Sequence, residues 1–151
     1  MTDLGALDAI ADRIREDFEA KNAARDAAIN QSRTLIRYCA NAIRAVHRRE
    51  WDAAQAGLAT ARQAADEIRA QVVDYPDLYH SGYTQDALKE YVEGYVTYAL
   101  VRGDALPSPE SLGVESSTYL NGLAEAATEL RRQILDIIRQ GHSVEAERLL
   151  D

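Results

Sequence analysis

DLGALDAIADRIREDFEAKNAARDAAINQSRTLIRYCANAIRAVHRREWDAAQAGLATARQAADEIRAQVVD, residues 3–74, is the stretch that decides the fold class of this chain. It contains no proline, and Gly5 and Gly57 are its only glycines. Alanine, leucine, arginine and glutamate dominate it, and all four are strong helix formers. Neither this stretch nor the rest of the chain alternates apolar and polar residues over the length of a strand. We therefore predict an all-α fold.

Turn-forming residues divide the remainder of the chain into further helices. The breaks stand at Tyr75-Pro76-Asp77, His80-Ser81-Gly82, Arg102-Gly103-Asp104, Pro107-Ser108-Pro109, Gly113 and Gly141-His142-Ser143. They predict an antiparallel bundle of about five to six helices in a single domain over residues 1–151. The predicted helices cover 3–49 (with a candidate break near Lys21-Asn22), 51–73, 84–101 (with Thr84 as N-cap), a short turn at 109–112, 116–139, and a last helix from Ser143.

Length and composition place the chain among small globular proteins. Its 151 residues, 46% of them apolar, can form one domain with a hydrophobic core. No run of ~18 apolar residues is present, so we expect no membrane span, and the first residues lack the pattern of a secretory signal. Cys39, the only cysteine, has apolar neighbours that predict a core position. It cannot form an internal disulfide, which favours a reducing, cytoplasmic location.

The charge of the chain restricts how it can meet nucleic acid. A net charge of −8 argues against a broad electrostatic grip on phosphates, which needs clustered basic residues. Any nucleic-acid site must therefore be local. Only Lys21 and Lys89 are lysines, and every other basic residue is arginine.

Two pairs of glutamates are the strongest candidates for chemistry. Glu90 and Glu93 share one face of the third predicted helix at ~100° per residue, and Asp86 precedes them by one turn. Glu125 and Glu129 share a face of the fourth. Two helices that each offer a carboxylate pair could build an oxygen-rich site for Mg²⁺ or Mn²⁺. Such a cation can activate a water and neutralise charge on a phosphodiester.

The amphipathic pattern supports a plainer interpretation of the same glutamates. It predicts that the core-facing side chains are Leu88, Tyr91, Val92, Tyr95 and Ala99 on the third helix and Leu120, Leu123, Ala127, Leu130, Ile134 and Ile138 on the fourth. All four glutamates point away from these faces, so in a monomer they would face solvent, where Glu129 can pair with Arg132. In a closed oligomer the same polar face would line an internal cavity, so we expect the site to matter only inside an assembly.

The first predicted helix carries a basic patch that is the best candidate for phosphate contact. The arginines that lie within about 60° of one another are Arg33, Arg37, Arg44 and Arg48. His47 and Arg49 extend the patch at the end of the helix. Guanidinium groups match phosphate oxygens, which favours RNA binding here. The alternative is that these arginines pair with the many acidic residues around them.

Three segments resemble the translin family. DALKEYVEG, residues 86–94, is similar to the glutamate-bearing helix of the translin-associated factor TRAX. STYLNGLAEAATELRR, residues 117–132, is similar to the family's Tyr-Leu-x-Gly-(Leu/Val)-Ala-x-x-x-x-Glu-Leu-x-Arg helix. Residues 25–47 resemble its N-terminal helix, which closes with a valine-histidine pair. The resemblance covers most of the chain, and the Glu90/Glu93 pair is what separates TRAX-like members from translin-like ones.

The resemblance implies a fold, an assembly and an activity. The fold would be a translin-like helical bundle, assembled as a barrel-like homo-oligomer or as a hetero-oligomer with a translin-like subunit. TRAX-type subunits bind Mg²⁺ and cleave single-stranded RNA internally, and single-stranded DNA is a further ligand to consider. By position, Glu90, Glu93 and Glu125 would be the metal ligands, with Glu129 as a fourth ligand or a support behind them. These four glutamates would then be the catalytic residues.

Two departures from the family leave a rival interpretation open. The family usually has aspartate where Glu125 stands, and glutamate reaches about one methylene further. The family also continues through further C-terminal helices, whereas this chain ends at Asp151, so we expect a C-terminally short domain. The rival is a non-catalytic RNA-binding or assembly subunit, in which the glutamates are a solvated surface or an interface. A redox di-metal bundle is disfavoured because its Glu-x-x-His pattern is missing.

Overall fold

A computed structural model describes residues 4–141 and 143–150 of the chain. Its helices are α1 (Leu4–His47), α2 (Trp51–Gln71), α3 (Pro76–Tyr79), α4 (Gly82–Arg102), α5 (Pro109–Leu112), α6 (Ser116–Arg139) and α7 (Ser143–Leu150). The described residues contain no strand, which confirms the all-α prediction. Two of these helices, α3 and α5, have only four residues each, and the other five form the predicted bundle. Asp3, the predicted start of the first helix, and His142 of the last predicted turn lie outside the described residues.

The first helix is longer than any other and has no break. It runs continuously over Leu4–His47, so the candidate break near Lys21-Asn22 is wrong. No proline lies in this helix, and its only glycine stands near its start, so each later turn keeps its backbone hydrogen bonds. The helix ends where Arg49 takes a left-handed backbone conformation (φ 59°), and the amide of Glu50 donates to the carbonyl of Ala45 (2.9 Å). This turn reverses the direction of the chain, so that α2 packs against α1.

The start of α4 lies earlier than the predicted boundary. Its N-cap is Ser81, in an extended conformation, and not Thr84. Thr84 instead lies in the first turn, where it is buried and its hydroxyl donates to the carbonyl of Leu78 (2.8 Å). The Ser81 hydroxyl donates to the same carbonyl (2.6 Å). Both hydroxyls thus bond a carbonyl at the C-terminal end of α3 that has no partner within that short helix. These bonds hold α3 against the start of α4.

The fourth helix is the centre of the bundle. It packs against α1, α2 and α6, and Cys39 of α1 is fully buried against it, as predicted. Its predicted core face is buried, with Tyr95 partly exposed. However, α4 buries side chains around most of its circumference, and these are Thr84, Ala87, Leu88, Tyr91, Val92, Glu93, Gly94, Val96, Thr97, Ala99 and Val101. A helix covered on so many sides has little amphipathic pattern, so its sequence cannot show which polar residues are buried.

Small residues of α6 lie in its contact with α4. The predicted apolar face of α6 is wrong at Leu120 and Ile138, which are 64% and 54% exposed, and at Ala127, which is also exposed. The other three predicted positions are buried or partly buried, as expected. The buried positions include Gly122 and Ala126. A Cβ added at Gly122 would lie 2.6 Å from the Val92 Cβ and 2.8 Å from the Lys89 carbonyl oxygen. The two helices therefore approach so closely that only glycine fits at this position.

Residues 6–20 of α1 lie on the surface, because every side chain in this range is exposed. Four large apolar residues, spaced three or four positions apart, lie along this part of the helix: Leu7, Ile10, Ile14 and Phe18. We name these four residues the N-terminal apolar stripe. Within residues 4–141 and 143–150, no helix has the length and hydropathy of a membrane span.

Candidate metal centre

The close approach of α4 and α6 brings three carboxylates together. Glu90 and Glu93 lie on α4 and Glu125 on α6, and each offers an oxygen that lies within 4.8 Å of the other two. The sequence placed each glutamate pair on one helix face, and the tertiary packing joins the two faces. Glu129 is not a member of this group of three, although its charge raises the pKa of Glu93.

Glu93 is the buried member of the group. Only 7% of this residue is exposed, so the expectation that all four glutamates face solvent is wrong for Glu93. Glu90 and Glu125 are half-buried. The physical reason is that α1, α2 and α6 surround α4, so a position opposite the predicted core face is still inside the bundle.

Burial has a direct electrostatic consequence for Glu93. Burial, as the largest cause, and the charges of Glu90, Glu125 and Glu129 together raise the pKa of the Glu93 carboxyl to about 8. In the part of the chain that the structure describes, no lysine, arginine or histidine forms an ion pair with Glu93. A buried carboxylate without a counter-charge either keeps a proton or attracts a cation. The group therefore has the electrostatics of a cation site.

Lys89 is a member of the site that the sequence analysis did not single out. Its ammonium nitrogen lies 2.7 Å from Glu125 Oε1 and 3.6 Å from Glu90 Oε1. The hydrogen bond to Glu125 raises the pKa of the Lys89 ammonium, and the charges of Glu125, Glu90 and Asp86 act in the same direction against burial. The sequence did carry a signal for Lys89, because the chain has only two lysines and one of them precedes Glu90.

His47 connects the acidic group to the end of α1. Its Nε2 lies 2.6 Å from Glu129 Oε2, and its Nδ1 is hydrogen-bonded to Oε1 of Gln133. The imidazole is therefore fixed between two residues of α6, with only 13% of its side chain exposed. Sequence reasoning grouped His47 with the basic patch, but the structure turns it toward Glu129 instead.

The four arginines of the predicted patch are all exposed: Arg33, Arg37 and Arg44 lie on α1, and Arg48 lies in the turn that follows it. Arg44 donates to Asn41 Oδ1 (2.5 Å), and the Arg48 Nε lies 3.0 Å from Glu50 Oε1. Among the described residues, neither Arg33 nor Arg37 pairs with a carboxylate. The alternative that the patch is neutralised by acids therefore holds for Arg48, and for Arg49, which pairs with Glu145. Among the described residues, Arg33, Arg37 and Arg44 have no carboxylate partner.

The donor chemistry of the site fits a hard divalent cation. All three converging ligands are carboxylate oxygens, which Mg²⁺, Mn²⁺ and Ca²⁺ prefer. Opposite oxygen ligands lie about 4 Å apart around Mg²⁺ and about 5 Å apart around Ca²⁺, and the oxygens here lie within 4.8 Å of one another. A bound cation would also take the place of the proton on Glu93.

The raised pKa of Glu93 predicts how stability depends on pH without a metal ion. The pKa of Glu93 is about 8 in the folded state, and that of an ordinary glutamate is 4.5. Between these two pH values, the folded protein keeps a proton on Glu93 that the unfolded chain loses. The free energy of unfolding should therefore fall as pH rises through this interval, by at most about 1.4 kcal/mol per pH unit. Glu93→Gln should flatten the curve. Urea unfolding in EDTA at several pH values measures this, and an equally steep curve for the variant would contradict it.

Comparison with known proteins gives few sequence relatives. No family model matches the chain. An uncharacterized protein of Methanocaldococcus jannaschii is 26% identical over 130 residues, which cover 85% of this chain and 57% of that protein. The chain thus spans little more than half the length of this curated relative.

Solved structures are more informative. The crystal structure of apo-NeC3PO superposes with a TM-score of 0.85 at 22% identity, over 92% of this chain and 74% of that chain, and establishes the fold alone. AfC3PO, and its complex with duplex RNA, each superpose with a TM-score of 0.85 at 27% identity, over 93% of this chain and 72% of theirs. These likenesses confirm the translin-like helical bundle. Through AfC3PO, these structures support the resemblance of this chain to the translin family.

Proposed function

We propose that this protein is a TRAX-like, RNA-binding member of the translin family that cleaves single-stranded RNA internally with Mg²⁺ or Mn²⁺. The observation that carries the proposal is the convergence of Glu90, Glu93 and Glu125, with Glu93 buried among carboxylates. The complex of AfC3PO with duplex RNA supports RNA as the ligand class. Glu90 and Glu93 are also the pair by which the resemblance distinguishes TRAX-like from translin-like subunits.

Each residue of the site has a distinct task in this proposal. Glu90, Glu93 and Glu125 would hold the cation, whose chemistry is to supply an activated water and to neutralise charge on the phosphodiester. Glu129 stands beside them, and its bond to His47 restricts its rotamers. We therefore assign His47 and Glu129 to positioning the site rather than to holding the ion. Arg33 and Arg37, which are free of carboxylate partners among the described residues, offer contacts to phosphate.

The rival candidate is a non-catalytic RNA-binding subunit of the same family. Two features favour it: Glu125 stands where the family usually has aspartate, and the Lys89 ammonium already contacts two of the three candidate ligands. In this rival, Lys89 neutralises the carboxylates permanently. The two candidate functions differ in whether a divalent cation enables RNA cleavage, so one cleavage assay can separate them.

The decisive assay is cleavage of end-labelled single-stranded RNA by the wild type in Mg²⁺, in Mn²⁺ and in EDTA. Internal cleavage that requires the cation would support the endoribonuclease. RNA binding without cleavage in any buffer would support the rival. Parallel reactions with single-stranded DNA and with duplex RNA define the substrate class, since the family resemblance alone does not separate these ligands.

We also propose that the active form is an oligomer, either of this chain alone or with a translin-like subunit. The N-terminal apolar stripe supports the proposal, because its four side chains are 47–69% exposed along one face of a helix that extends from the bundle. Contiguous exposed apolar surfaces of this kind mark protein interfaces. The same chemistry suits a second copy of the chain, whose stripe is equally apolar.

Placing charge in the stripe should weaken the assembly. We expect Ile10→Glu/Phe18→Glu to reduce the mass in solution, because carboxylates would be desolvated in the interface. Size-exclusion chromatography with light scattering measures the mass. Ala9→Glu/Ala23→Glu adds the same charge to the opposite face of the helix at ~100° per residue and is the matched control. If the wild type and Ile10→Glu/Phe18→Glu have the same mass, the N-terminal apolar stripe is not part of the interface.

A further inference from the structure

Lys89 has a position that neither the proposed cleavage nor the fold requires. Its ammonium lies between the α4 and α6 carboxylates, 2.7 Å from Glu125 Oε1 and 3.6 Å from Glu90 Oε1. These are two of the three oxygen ligands in the candidate metal centre. Its side chain is 20% exposed, and its backbone carbonyl is the oxygen against which Gly122 packs. The Lys89 ammonium therefore belongs to a residue whose backbone lies at the close contact between α4 and α6.

The residue type at this position is informative. Elsewhere the chain uses arginine for nearly all its basic residues, and its other lysine, Lys21, pairs with the exposed Asp77 (2.6 Å) far from the acidic group in sequence. Arginine would bind a carboxylate through a rigid two-point fork, whereas a lysine ammonium is a compact point charge on a flexible stem. A lysine at position 89 can therefore pair with Glu125 and can also swing away from it.

We propose that Lys89 is an internal counter-ion that occupies Glu125 in the metal-free protein and competes with the divalent cation for that carboxylate. The inference rests on the proposed metal centre. Glu125 cannot serve both partners at full strength, because an ammonium and a divalent cation at one carboxylate repel each other. Release of Lys89 is then a part of cation binding, and it lowers the apparent affinity of the site. Lys89 acts through Glu125 and is a positioning residue, not a ligand.

Binding of Mn²⁺ alone, without RNA, tests the proposal. We expect Lys89→Gln to bind Mn²⁺ on the order of tenfold more tightly than the wild type, which corresponds to about 1.4 kcal/mol. Electron paramagnetic resonance of free Mn²⁺ during a titration gives the affinity. Lys21→Gln removes the other lysine and should bind as the wild type does. Lys89→Arg retains a positive charge and should not show the gain of Lys89→Gln.

A second measurement tests the proposal even if Lys89→Gln is less stable than the wild type. Thermal unfolding with and without Mn²⁺ should show a larger rise in melting temperature for Lys89→Gln than for the wild type, because the ion replaces the lost charge.

The possible outcomes separate this inference from the proposed function. Equal or weaker Mn²⁺ binding by Lys89→Gln would overturn the competition and leave the proposed metal centre intact. Absence of binding by both proteins would overturn the competition together with the metal centre. Unchanged Mn²⁺ affinity with weakened RNA binding would assign Lys89 to the phosphate instead.

Discussion

Glu90→Gln/Glu93→Gln is expected to lose metal-dependent RNA cleavage while it remains folded. Glutamine has the size and shape of protonated glutamate, and the raised pKa of Glu93 means that the metal-free site already tolerates a neutral side chain there. The packing around α4 should therefore survive. The variant lacks two of the three charges that would hold the cation, so we expect the cleavage rate to fall by at least about a thousandfold, or about 4 kcal/mol.

The matched control for this double variant lies on α1. Glu16 and Glu19 have the same three-residue spacing on a helix but are exposed and outside the acidic group. Glu16→Gln/Glu19→Gln should cleave as the wild type does. Cleavage retained by Glu90→Gln/Glu93→Gln would exclude this site from catalysis. An inactive wild type that still binds RNA would instead favour the non-catalytic subunit.

Gly122→Ala is expected to destabilise the protein by about 2–3 kcal/mol or more, a large effect for a single methyl group. The added Cβ would lie 2.6 Å from the Val92 Cβ and 2.8 Å from the backbone oxygen of Lys89. A backbone oxygen in the middle of α4 cannot rotate away, so the helices must separate. Separation would also draw Glu125 away from Glu90 and weaken Mn²⁺ binding.

A glycine in open space is the control for this substitution. A Cβ at Gly82, in the first turn of α4, would have nothing within 4 Å, so Gly82→Ala should be neutral or stabilising by up to about 1 kcal/mol. Urea unfolding of both variants measures the difference. A Gly122→Ala protein within about 0.5 kcal/mol of the wild type would mean that α4 and α6 do not touch at this point.

Helix boundaries were predictable because they depend on neighbours in sequence. Gly103 and Gly113 take left-handed conformations (φ 78° and 64°) at the ends of α4 and α5, which are the predicted breaks. Pro76 begins α3 for an equally local reason. Local chemistry was misjudged at Thr84, where a threonine that resembles a cap is instead bonded to Leu78 of the preceding helix.

The sequence predicted each glutamate pair of the candidate site, but not how the two pairs are placed relative to each other. The helical repeat places Glu90 with Glu93, and Glu125 with Glu129, whatever surrounds them. The family resemblance proposed that the two pairs meet, and the packing of α4 on α6 brings Glu90, Glu93 and Glu125 together. Amphipathicity was wrong at three of the six positions of the predicted α6 face, because it gives little weight to small residues such as Gly122 and Ala126, which are buried.

The sequence by itself therefore determined the helices, their approximate ends and the face of each helix on which its glutamates lie. These properties follow from backbone hydrogen bonding and a repeat of ~3.6 residues, which act over a few positions. Only the tertiary structure decided that Glu93 is buried, that Lys89 pairs with Glu125 across two helices, and that His47 binds Glu129. Each of these depends on how closely distant segments approach, and that distance is set by the packing of whole helices around α4.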